Sequence, residues 1–261
     1  MADPVLFIRD GSIARITLNR PEVGNAIDLR LARALLEAAI CCETDVSVRC
    51  VVVTGNGKLF CTGGDVALMQ SAGDQLPKTL SELITTFHMA VTRLAQMPKP
   101  LLMLVNGPAA GAGMSLALLG DVVLSARSAH YTAAYGAIGL TADGGLSWLL
   151  PRLVGLRKAQ EIILTNRRIK CDDAEAIGLV TRIVDDEVLA TEGEAIAGYL
   201  ADAPTAAFGA SRALLRQSFE GAFETQLDRE LRSMTAAAGA AEAKEGLAAF
   251  FGKRAANFRE V

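Results

Sequence analysis

Apolar positions follow two different periods along this chain, and the change of period marks its organisation. The opening "VLFIRDGSIARITLNRP" has two β-rich runs on either side of Asp10-Gly11, which predicts a hairpin. In "DLRLARALLEAAICCETD" the apolar residues Leu31, Leu35, Ala38 and Ala39 fall at helical spacing. "RCVVVTG" is a short continuous apolar run, as expected of a strand buried on both faces. "TLSELITTFHMAVTRLAQM" predicts a second helix, stopped by Pro98. "PLLMLV" and "DVVLSA" read as further buried strands, with a Gly-rich helix start between them. Strands alternate with helices to about residue 186, which predicts mostly parallel pairing and an α/β core. Beyond "VTRIVD" no strand is expected: Ala-rich helices, broken at Pro204, run to the end. The expected division is a core over residues 1–200 and a helical region over 201–261.

Composition narrows the class. The 261 residues are 51% hydrophobic and 21% charged, enough for a large core and contrary to disorder. That apolar surplus also points to a subunit interface. The formal charge of −3 includes no basic tract, so nucleic acid is not the expected partner. Five cysteines without CxxC spacing suggest free thiols in a reducing, cytoplasmic setting, and with only two histidines no usual zinc pattern can be completed. The N-terminal stretch has no basic region followed by an apolar one, so no signal peptide is read there. The uncharged run Pro100–Gly120 is broken by Asn106-Gly107-Pro108 and reads as strand, loop and helix start, so no membrane span is expected.

Two segments share one plan of buried strand, Gly-rich turn and helix start: "CVVVTGNGKLFCTGGDV" and "PLLMLVNGPAAGAGMSLALL". Helix starts expose unpaired N–H groups, and small residues let an oxygen approach them. Two such turns facing one point would form an oxyanion hole; taken singly, each also reads as simple helix–strand packing. "GNGK" lacks the spacing of a phosphate-binding loop, and "GPAAGAG" is not a dinucleotide fingerprint. A third segment is unusual for its charge. Between Arg127 and Arg152 the only formal charge is Asp143, within "GLTADGGLSW". Asp143 could cap a helix starting near Gly144, or it could be an acid retained for chemistry.

The stretches "ITLNRPEVGNAI", "GNGKLFCTGGDV", "KPLLMLVNGPAAGAGMSLALLGDVVLSA", "IGLTADGGLSWLLPRLVG" and "LTNRRIKCDDAEAIGLVTRIV" stand in the order and spacing of one family. The chain resembles the crotonase, or enoyl-CoA hydratase/isomerase, superfamily along nearly its whole length. In pattern it is nearest to the enoyl-CoA isomerase and epoxyphenylacetyl-CoA isomerase branch. The resemblance implies a spiral of ββα units, a helical trimerisation region, and a homotrimer or dimer of trimers. It implies an acyl-coenzyme A thioester as substrate and no separate cofactor. By its motifs the oxyanion donors would be the amides of Gly64 and Ala112. Val23, Ala26, Gly64, Asp65 and Val66 would line the coenzyme A site, and Lys253 or Arg254 would either meet coenzyme phosphates or end a solvated helix.

Departures from the family pattern bear on the reaction. The two glutamates that the resemblance to hydratases would require fall at Ser115 and Tyr135, and neither is acidic near neutral pH. Asp143 matches the position of the isomerase carboxylate, so the resemblance makes it the proton shuttle, with Leu146, Trp148 and Leu149 expected as its apolar walls. His88, in mid-helix, reads either as a packed or half-exposed side chain or as a pocket residue of the dehalogenase branch. In that branch an Asp at this position attacks an aromatic ring, an aromatic residue sits eight places earlier (here Tyr135) and a helix histidine assists. His130 reads as structural. The alternatives to an isomerase are a weak hydratase, an aryl-CoA dehalogenase, and a non-catalytic acyl-CoA-binding homologue.

Overall fold

A computed structural model describes residues 2–261. The strands β1 (Val5–Asp10) and β2 (Ile13–Leu18) form the expected antiparallel hairpin. Helix α1 (Leu29–Thr44) begins at Asp28, whose carboxylate accepts the Leu31 N–H at 2.8 Å. Its residues Leu31, Leu35, Ala38 and Ala39 are all buried, as their spacing requires. Then follow β3 (Cys50–Gly55), a short α2 (Val66–Ala72) and the long α3 (Leu76–Gln96). The chain continues through β4 (Leu101–Val105), β5 (Ala109–Ala110), α4 (Ala112–Ala117), β6 (Val122–Ala126) and β7 (His130–Thr132). Next come α5 (Leu146–Val154), α6 (Leu156–Thr165), β8 (Ile169–Lys170), α7 (Cys171–Ala176) and β9 (Arg182–Val184). Four helices complete it: α8 (Leu189–Asp202), α9 (Thr205–Gln217), α10 (Phe223–Ala238) and α11 (Ala241–Phe251).

The strands form two sheets. The larger runs β1-β2-β3-β4-β6-β9 and is parallel from β2 onward; the smaller runs β5-β7-β8. Two central passes, β4-β5-α4 and β6-β7-α5, leave a strand in the large sheet, then one in the small sheet, then a helix, and after β3 an isolated bridge at Cys61 takes the place of the second strand, in keeping with the expected ββα spiral. Alternation within the buried strands separates two cores. Val51, Val53, Leu101, Met103 and Val105 face α1 and α3. Cys50, Val52, Leu102, Leu104 and Leu124 face α8, which returns Leu189, Ala197 and Leu200. Helix α9 is tied in by Arg212, whose guanidinium donates to Asp121 Oδ1 (2.6 Å) and to the Met97 and Leu94 carbonyls (2.5 and 2.9 Å).

Cys42, Cys50, Cys61 and Cys171 are buried core thiols. Burial pushes Cys42, Cys50 and Cys61 up to about 12, and Cys41 alone among the described cysteines is exposed.

One buried polar residue fixes the segment after β2 against the turn that follows β3. Asn25 is fully buried with φ +56°, a conformation asparagine tolerates better than most side chains. Its Nδ2 donates to the carbonyls of Asn56, Leu59 and Phe60 at 2.9, 2.8 and 3.1 Å, while its Oδ1 accepts the Arg20 N–H at 2.8 Å. Alanine there would leave these buried groups unpaired. We expect Asn25→Ala to cost about 3 kcal/mol and to lower the melting temperature by roughly 10 °C in calorimetry. A loss of less than about 1 kcal/mol would show that water replaces the carboxamide.

Candidate active site

Two Gly-rich turns meet above the sheets. The turn before α2 and the turn before α4 are joined by a parallel bridge between Cys61 and Ala109 and by the Ala110 N–H donating to the Cys61 carbonyl at 2.9 Å. Gly63, at φ +95°, is what permits the approach. A Cβ on it would fall 2.8 Å from the Ala110 carbonyl oxygen and 3.3 Å from the Ala112 nitrogen. Gly64 is held by pairing with Ile27, whose N–H donates to the Gly63 carbonyl (2.7 Å) and whose carbonyl accepts from Asp65 (3.0 Å). The amides of Gly64 and Ala112 have no hydrogen-bond partner among the described residues, and both residues line one cavity of about 530 Å³. Ala112 is the first residue of α4, so its free N–H also carries the partial positive charge of a helix start.

The cavity is apolar. Leu80, Leu83, Ile84 and Phe87 of α3 form one wall; Met69, Ile138 and Leu140 contribute from elsewhere. Asp143 is the only acidic residue lining it among the described residues. Its two oxygens differ in their surroundings. Oδ1 accepts the Gly144 N–H at 2.5 Å and shares a hydrogen with His88 Nε2. Oδ2 has no partner among the described residues and is the oxygen left for a ligand. Gly144, at φ +63°, lies so close to α3 and α4 that a Cβ would sit 2.9 Å from both Phe87 and Ser115. The Asp143 side chain does not cap a helix: α5 has Gly145 at its N-cap, without a side-chain cap.

Ser115 and Tyr135 have turned to a different task from the glutamates whose positions they hold. The Ser115 hydroxyl donates to the Asp143 carbonyl at 2.7 Å, and the Tyr135 hydroxyl donates to the same carbonyl at 3.1 Å. Burial pushes the Tyr135 phenol above its ordinary value, so it is a neutral donor and not a base. Together the two hydroxyls hold the Asp143 backbone.

Not every expected residue joins this group. Trp148 does not line the cavity. Its ring stacks on the Arg152 guanidinium (3.9 Å to the centroid) over a separate groove, because on α5 it follows buried Leu146 by two positions and so turns to another side of the helix. Leu149 faces that same groove and Leu146 is in the core, so the apolar wall beside Asp143 is Phe87 and the α3 leucines. His88 lies behind Asp143, outside the cavity lining. Val66 and Gly64 line the cavity, whereas Val23 is at the surface and Ala26 is buried with its carbonyl accepting from Arg20 at 2.5 Å. The Asp65 carboxylate is engaged in capping α2 (3.1 and 3.2 Å to the Ala67 and Leu68 N–H groups) and in an ion pair with Arg20 at 3.1 Å. Arg254 is paired with Glu245 (2.6 Å), and Lys253 is exposed. Sequence reasoning assigned no role to Asn25 and did not place the α3 wall in the site. The phase of Leu83 and Phe87 on α3 was the available signal, but it showed only that they are buried.

The chain is similar to known proteins over nearly its whole length. The family model for enoyl-CoA hydratase/isomerase matches residues 9–261. The 1,2-epoxyphenylacetyl-CoA isomerase of Escherichia coli (strain K12) is 35% identical over 99% of each chain. The 4-chlorobenzoyl coenzyme A dehalogenase-2 of an Arthrobacter species is 31% identical, covering 92% of this chain and 88% of its own. The crystal structure of an enoyl-CoA hydratase from Polaromonas sp. JS666 superposes with a TM-score of 0.92 at 30% identity, over 97% of this chain and 98% of that one. With the ββα spiral and the paired turns in place, this agreement is sufficient: the chain belongs to the enoyl-CoA hydratase/isomerase family.

Proposed function

We propose that the protein is an acyl-CoA isomerase that moves a double bond in an enoyl-CoA, or in a ring-derived acyl-CoA, with Asp143 as proton shuttle. The single observation that carries this reading is the lone carboxylate. Asp143 presents one free oxygen to a cavity that contains two unpartnered amides and no second acid among the described residues. Water addition in the hydratase pattern employs two carboxylates; a double-bond shift needs one. The Gly64 and Ala112 amides bind the thioester oxygen. Asp143 Oδ2 removes a proton from the acyl carbon, the C–H electrons pass into a dienolate, and charge collects on the thioester oxygen between the two amides. The same carboxyl then returns a proton to a different carbon of the chain, with apolar walls excluding bulk water. Coenzyme A enters as part of the substrate, and no separate cofactor is required.

A second reading has its own support. His88 on Asp143, with Tyr135 eight residues before it, is the side-chain set implied for aryl-CoA dehalogenation, and dehalogenases are among the relatives. Presenting the enzyme with a 3-enoyl-CoA, crotonyl-CoA and a halobenzoyl-CoA separates these reactions. Double-bond migration well above both water addition and halide release is the expected outcome. Dominant halide release would replace the isomerase reading with the second one, and dominant water addition would make the protein a hydratase.

For assembly, a homotrimer or dimer of trimers is part of the same proposal. Helices α10 and α11 present Phe223, Leu231, Met234, Phe250 and Phe251 to the surface, more apolar area than a monomer needs to expose.

A further inference from the structure

We propose that His88 is the port through which Asp143 exchanges its proton with water, so that part of the hydrogen delivered to the product comes from solvent and not from the substrate. This rests on the isomerase reading above and adds to it a second route into the site, independent of the mouth that the acyl chain fills.

The geometry has three parts. His88 Nε2 shares a hydrogen with Asp143 Oδ1 and also accepts the Gly144 N–H at 3.3 Å. The imidazole ring is itself outside that cavity: it lines a second, separate cleft on the outer side of α3, together with Glu43, Thr92 and Arg93. The His88 side chain is 48% exposed against 20% for Asp143, and its Nδ1 has no partner among the described residues. Glu43 and Arg93, the charged groups facing His88 from α1 and α3, are bound to each other at 2.6 Å and leave the ring free. A continuous path therefore runs from the apolar cavity through one carboxyl and one imidazole to the outside.

The proton balance is simple. Breaking the substrate C–H bond leaves the proton on Oδ2 and the electron pair in the dienolate. A half-turn of the carboxyl about Cβ–Cγ interchanges the two oxygens and brings that proton to Nε2. The imidazole takes it up at Nε2 as imidazolium, swings off Oδ1 into the outer cleft and exchanges its Nε2 proton with water there; its return carries a water-derived proton to Asp143. No net charge moves and no co-reactant is needed. If reprotonation of the dienolate is faster than this cycle, the substrate's own hydrogen is retained; if it is slower, solvent hydrogen appears. His88 thereby acts through Asp143 and without touching substrate.

The test is isomerisation of a 3-enoyl-CoA in D2O, with deuterium counted by mass spectrometry per molecule of product, so that a change in rate alone does not enter. His88→Gln retains a donor for Asp143 but cannot take up a proton and carry it to the outer cleft. We expect the wild-type product to contain solvent deuterium and His88→Gln to lower that content about tenfold. His88→Ala opens the outer cleft, and added imidazole should restore the label. Equal labelling in wild type and His88→Gln overturns the proposal, as does an unlabelled wild-type product. A wild-type enzyme that forms no isomerised product at all defeats the isomerase reading instead, and the relay falls with it. The first two results leave that reading standing.

Discussion

Asp143→Asn should lower the isomerisation of a 3-enoyl-CoA by about 10²–10⁴-fold while leaving the fold and the affinity for a non-reacting CoA ester intact. The amide is nearly the same size as the carboxylate. Its carbonyl oxygen can still accept the Gly144 N–H, which bonds Oδ1 at 2.5 Å in the native site. What the substitution removes is a group able to hold and return a proton at the substrate; His88 lies outside the cavity lining, and no group within reach of the acyl chain can take over. Ser115 and Tyr135 are committed to the Asp143 carbonyl, and burial keeps the phenol protonated. Thr62 and Thr141, the other hydroxyls lining the cavity, are poor bases at neutral pH. The measurement is kcat together with Kd for a thioether analogue. A fall in kcat alone fits the shuttle. Unchanged turnover would remove Asp143 from the chemistry, and a loss of binding would make it a structural anchor.

The second large effect is expected at Ala112. Because this residue opens α4, it occupies the first helical position, where proline is best tolerated and where the missing N–H breaks no helical bond. Gly111 before it, at φ +52°, imposes no side-chain clash on a following ring. Ala112→Pro therefore deletes one oxyanion donor with little cost to folding. Removing one such donor is typically worth ~3–4 kcal/mol, so kcat/KM should fall by about 10²–10³-fold with circular dichroism and melting temperature nearly unchanged. The pyrrolidine ring also projects toward the bound oxygen, which adds a rise in KM. Retention of activity within about threefold would mean that the thioester oxygen does not use this amide.

The parts of this site that could be read in the sequence are those whose signal is local. Asp143 stood out because nothing else between Arg127 and Arg152 is charged, and the two Gly-rich turns stood out because each follows a buried strand and opens a helix. Gly64 and Ala112 act through backbone groups, so turn chemistry pointed to them without any side chain. The large sheet followed from continuous apolar runs. The small sheet did not, because β5 and β8 are two residues each and no periodicity can register over that length. Trp148 illustrates a different limit. Proximity to Asp143 in sequence suggested proximity in space, but two left-handed glycines, Gly144 and Gly145, turn the chain between them, and α5 then carries the indole to another groove. His88 shows the reverse: it is 55 residues from Asp143 and yet bonded to it. A helix pattern fixes which face is buried, not which loop will lie across its edge. Asn25 was hidden for a related reason, since its three carbonyl partners lie more than 30 residues away.

The most direct examination of the whole account is a crystal structure with an unreactive enoyl-CoA analogue in the site. The thioester oxygen should lie about 2.7–3.1 Å from both the Gly64 and Ala112 nitrogens, with Asp143 Oδ2 about 3–3.5 Å from an acyl carbon that carries a transferable hydrogen. A thioester oxygen bound away from those two amides, or an Asp143 carboxylate rotated out of reach of the acyl chain, would contradict it.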